Sequence, residues 1–203
     1  MPTDGGVIYE PRYRNLAVHA GPEHGLRTVI LDRLYERYGY MIEHKSAFLI
    51  LQLRIMPMPG NGCFGDNSTF REFCATFPEY LMQQGIESHH VWVRRHPGFA
   101  SGHRYILAML LDAGRSDCFR QHLPKADELW SRALGKVWLQ GLISFDQAND
   151  AVWHGAPVLV VRKDSPGFHQ DCRDSFQSLS HIAHMNPTDR TPGYNREYGC
   201  SPL

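Results

Sequence analysis

Apolar positions recur along the chain with two periods, and the switches between them mark the elements. From Leu26 to Tyr38 the positions Ile30, Leu31, Leu34, Tyr35 and Tyr38 lie three and four apart, which predicts a helix that Gly39 stops. Ala47 to Met56 (AFLILQLRIM) is instead a leucine-rich, β-like run ending in Met-Pro-Met-Pro-Gly, and it predicts an interior strand. Asn67, Ser68 and Thr69 offer N-caps to a second helix striped by Phe70, Phe73, Cys74, Phe77 and Leu81, which Pro78 is expected to bend or shorten. His90 to Arg95 alternates and breaks at Pro97-Gly98, and Arg104 to Asp112 (RYILAMLLD) is a further apolar run, so the two are expected to be antiparallel neighbours. Pro124 opens a third helix, carried by Ala126, Leu129, Trp130, Ala133 and Leu134 and stopped at Gly135. Val137 to Phe145 and Ala156 to Arg162 predict two more strands. Ser165-Pro166 then starts a last helix bearing Phe168, Cys172, Phe176, Leu179 and Ile182, which Pro187 ends.

Strands and helices do not alternate strictly and no period repeats. The expected fold class is therefore α+β, a mainly antiparallel sheet of about five strands with helices packed on one face. Residues 1–23 hold turn formers without a sustained period and read as an N-terminal arm, with the folded domain over 24–203.

Composition narrows the partners. With 42% apolar and 21% charged residues, the 203-residue chain can bury a core. Lys plus Arg (21) equals Asp plus Glu (21), so no global positive field exists and any nucleic-acid contact must come from a local patch. The longest uninterrupted apolar stretch, Tyr105 to Leu111, falls far short of the roughly 20 residues of a membrane span, and the N-terminus has no signal pattern. A cytoplasmic protein without a membrane partner is expected. The five cysteines form no C-x-x-C pair, which argues against a disulfide framework or a cysteine zinc site. Histidine is the outlier, with 12 residues, among them His89 beside His90 and the pair His181 and His184 at helical spacing. Trp92 with Arg94, Arg95 and His96 is the best local basic and aromatic cluster, although alternation sends Arg94 and Arg95 to opposite faces. The helical spacing of Phe70, Phe73, Phe77 and Trp130 marks them as core.

Four stretches, in order, resemble the YagK/YfjJ C-terminal-domain family of inovirus-type filamentous phages and prophages. They are VWVRRHPGFASGHRYILAMLLD, LPKADELWSRALG, the helix ending SLSHIAH, and DRTPGYNREYGCS; with the strand at Ala47 to Met56 the likeness spans Leu26 to Ser201. That family is similar to rolling-circle replication initiators, in which a central strand carries His-x-His ligands for a divalent metal. A helix there presents a tyrosine that attacks the DNA phosphodiester and a lysine on the next turn. This chain departs from both motifs. Arg104 and Ile106 stand at the two histidine positions with Tyr105 between them, His181 stands at the tyrosine and His184 at the lysine, and Thr188 replaces a further lysine of many relatives.

What the resemblance implies is a replication-associated DNA-binding protein with a degenerate nicking site. Its catalytic positions are His181 and His184, it retains no metal cofactor, and its partner is single-stranded or hairpin DNA, together with a related active initiator that it regulates or decoys. Ile106 cannot ligate a metal and Arg104 repels one, but a guanidinium at that place can hold a phosphate. Arg94, Arg104, Arg190 and Arg196 are the candidate DNA contacts, the last two alternating with Tyr194 and Tyr198 in the tail. Other readings stay open. A register slipped by one residue seats His103 at a ligand position, so that His103, His181 and His184 would serve a metal-dependent phosphodiesterase. A protein-interaction module or a prophage relic without DNA contact is a further alternative, marked by an exposed apolar patch beside the central strand.

Overall fold

The computed structural model describes residues 6–57, 67–95, 104–114, 119–145, 158–185 and 198–203. The fold is α+β. Its centre is a split β-α-β-β-α-β unit: β5 (Ala47–Ile55), α2 (Ser68–Gln83), β6 (Ser88–Arg95), β7 (Arg104–Asp112), α3 (Leu123–Ala133), then β8 (Ile143–Phe145) and β9 (Val158–Arg162). β7 lies between β6 and β5, and β8 and β9 share the far edge of β5, all antiparallel. β10 (Tyr198–Cys200) closes the other edge by pairing with β6. There the chain must be glycine, because a Cβ on Gly199 would come within 2.6 Å of Trp92 Nε1.

Helices cover both faces of the sheet, not one as expected. The reason is in the strands: β5 and β7 are apolar at nearly every position, so both faces need cover. On one face α2 and α3 bury Phe70, Phe73, Phe77, Leu81 and Trp130 against Leu49, Leu51, Leu107 and Met109. On the other, α1 (Thr28–His44) and α4 (Phe168–Leu179) bury Leu31, Leu34, Tyr38, Phe176 and Leu179 against Phe48, Ile50, Val91 and Ile106.

Several element ends differ from the periodic reading. α1 runs through Gly39 to His44, since Tyr38 and Met41 continue the buried stripe and the glycine costs only about 1 kcal/mol. α2 likewise passes Pro78 because Phe77 and Leu81, on either side of it, are both fully buried. The strand expected from Val137 begins only at Ile143, behind a turn at Gly141 (φ +81°). α4 stops at Leu179 and tightens into a 3₁₀ turn, Ser180–Ala183.

Residues 6–27 are ordered on the α1/α4 side as two small hairpins, β1 (Val7–Ile8) with β4 (Leu26–Arg27) and β2 (Arg12–Tyr13) with β3 (Leu16–Ala17). Val18 is buried there, Tyr13 Oη donates to Asp32 Oδ1 at 2.6 Å, and Leu26 bridges to His184. Among the described residues, no helix is long and apolar enough to cross a membrane.

Candidate functional site

Alternation along β7 sorts the residues that the resemblance singles out. Tyr105, Leu107, Met109 and Leu111 point toward α2 and α3, and Arg104, Ile106, Ala108 and Leu110 toward α1 and α4. Tyr105 is core: its ring stacks on Phe70 with centroids 3.8 Å apart, and its hydroxyl donates to Asn67 Oδ1 at 2.9 Å. Ile106 is buried in one cluster with Val93, Ile182 and Ala183. The 3₁₀ turn that carries His181 packs on α1 and β6, so positions 104, 106 and 181 belong to the same face of the sheet.

At this end of the sheet the cross-strand register assembles three arginines. Arg95 of β6 lies opposite Arg104, and Arg54 of β5 lies opposite Ile106, so alternation sends all three side chains to the α1/α4 face. Arg95 also fixes the turn above it, its guanidinium donating to His184 O at 2.6 Å and Ile182 O at 2.9 Å. These are the carbonyls that the end of a helix leaves without intrahelical partners, and a cation beside them is doubly favourable. Arg94 is buried on the opposite, α2/α3 face and is not brought together with Arg104. Trp92, close to Phe70 and Tyr105, is core and offers no stacking platform. Arg190, Arg196, Tyr194, Thr188, His96 and His103 lie outside the described residues.

His181 and His184 do converge, with ring centroids 4.8 Å apart, and the third imidazole beside them is His19 from the arm. The His19 ring stacks on His181 at 3.7 Å. His184 Nε2 donates to His19 O at 2.8 Å and lies 3.1 Å from His19 Nδ1. His24 adds a fourth ring, 5.5 Å from that of His184. Burial pushes His181 down to about 3, helped by repulsion from His19, His184 and His24. Burial also lowers His184, against the hydrogen bond to the His19 carbonyl, and lowers His19 with help from His24. All three are neutral near pH 7.

Chemically, this corner has guanidinium groups suited to phosphate oxygens and neutral imidazoles suited to a soft or borderline cation. Positions 104 and 106 hold arginine and isoleucine, and position 181 an imidazole. Sequence reasoning missed Arg54 and His19. Arg54 was open to detection, since Gln52 and Arg54 are the polar residues of one parity in an otherwise apolar strand. Nothing local marked His19. Compared with known protein families, with curated proteins and with solved structures, the chain matches none.

Proposed function

We propose that the protein is a cytoplasmic, phage- or prophage-encoded relative of replication initiators that holds DNA at the arginine end of its sheet and does not cut it. The observation that carries this reading is the convergence of Arg54, Arg95 and Arg104 from three adjacent strands onto one face, beside the turn bearing His181. In a chain of balanced charge, such a local cluster is the feature that binds a polyanion, by displacing its condensed counterions. Planar guanidiniums add bidentate contacts to phosphate oxygens. Single-stranded or hairpin DNA is the ligand of choice, and a related active initiator competing for the same DNA is the partner.

The loss of nicking rests on two substitutions. Metal-assisted phosphotyrosine chemistry needs ligands on the central strand and a phenol on the last helix. Ile106 supplies neither lone pair nor space for a cation, and His181 supplies an imidazole in place of the phenol. The test is fluorescence anisotropy of a labelled single-stranded hairpin over a series of salt concentrations. Arg54→Ala and Arg104→Ala are each expected to weaken binding about three- to tenfold and to lower the slope of log K against log salt by about 1. Unchanged affinity and slope in both variants would refute a phosphate contact here. Arg95 is the poorer probe, because its loss also releases the 182–184 turn.

A further inference from the structure

His19, His181 and His184 each present one ring nitrogen, and these atoms all lie within 4.8 Å of one another. A tetrahedral ion with metal-nitrogen bonds of roughly 2.0 to 2.1 Å needs its donors about 3.3 Å apart, so the set closes on an ion by rotations of the rings in which His184 Nε2 exchanges its proton and its bond to the His19 carbonyl for the metal. His181 Nε2 is buried and has no hydrogen-bond partner, a cost that a hydrogen-bonded imidazole stack leaves unrelieved and a metal bond removes. The backbone beneath the rings is held independently of them. His19 N–H donates to the Ser180 hydroxyl at 2.8 Å, Met185 N–H to Gly25 O at 2.9 Å, and the Arg95 guanidinium to the carbonyls of Ile182 and His184. The donors therefore sit on fixed main chain before any ion arrives, as a preorganised site requires.

We propose that His19, His181 and His184 form a binding site for a divalent transition ion of the zinc and cobalt class. Three imidazoles without a carboxylate favour such an ion over magnesium or calcium, which take oxygen donors. The three protein ligands leave a fourth position for water or for the exposed His24 ring after a modest swing. The ion clips the N-terminal arm to the end of the last helix, joining segments that share no local sequence signal.

Untagged protein, free of DNA, is titrated with Co²⁺ by visible absorption and then challenged with Zn²⁺. The expected result is one equivalent of Co²⁺ bound with the intense bands of a four-coordinate site, displaced by Zn²⁺. His19→Gln, His181→Gln and His184→Gln each weaken binding by at least about a hundredfold, more than loss of a ligand's outer hydrogen bond costs. His169→Gln, an exposed histidine of α4, leaves it unchanged. Circular dichroism checks that each variant folds, and Zn²⁺ raises the melting temperature of the wild type but not of the His19→Gln/His184→Gln pair. Absence of saturable one-equivalent binding in the wild type, or equal binding by folded His19→Gln, overturns the site.

Discussion

His90 shows how a single position in the sheet ties stability to pH. Its residue is 5% exposed in β6, its main chain is bonded on both sides to Ser201, and burial, with Arg37 and the adjacent His89 opposing a positive charge, pushes it down to about 4. The unfolded chain takes up this proton near the ordinary value of 6.5, so the folded state loses ground as pH falls from there toward 4. At pH 5 the loss from this residue alone reaches about 2 kcal/mol. Urea midpoints at pH 7 and pH 5 should therefore differ less for His90→Leu than for the wild type, and an unchanged difference would count against a neutral buried imidazole. At this scale the sequence was informative where a side chain broke its own pattern. His181 and His184 stood out by their spacing, whereas Arg104 and Ile106 stood out only against the strand motif of the resembled family. His19 did not, because its partners, Ser180, His181 and His184, are brought to it only by the finished fold.

Among the elements, β5, β7 and α3 were legible because each is a complete hydrophobic pattern with its own stop signals. β8 was read too long because long-range bonds set its start. Asp127, buried on α3, accepts from Gly141 N–H at 3.0 Å and from Ile143 N–H at 2.9 Å, which pins the turn before the strand. Asp127→Ala leaves these amides without acceptors and is expected to cost about 1 to 3 kcal/mol. The same variant should speed amide exchange at Ile143 while β5 and β7 stay protected; protection kept at Ile143 would mean that the turn holds itself. The hairpins of residues 6–27 escaped notice for a related reason, since two-residue strands carry no period and depend on contacts such as Tyr13 to Asp32.

Over the whole molecule, the split β-α-β-β-α-β unit places α2 and α3 on one face, α1 before it and α4 after it cover the other, and one end of the sheet is left to Arg54, Arg95 and Arg104 under the His181 turn. The candidate site was half legible. Its positions on the central strand and last helix were singled out by the family resemblance, and Arg54 and His19 emerge only from the topology. The central claim is that this corner retains DNA without cutting it. The most direct measurement incubates the protein with an end-labelled single-stranded hairpin and Mn²⁺, scoring retention on a native gel and covalent or cut products on a denaturing one. Retention with neither product is the predicted result; a protein-DNA adduct, a cut strand, or no retention at low salt would contradict it.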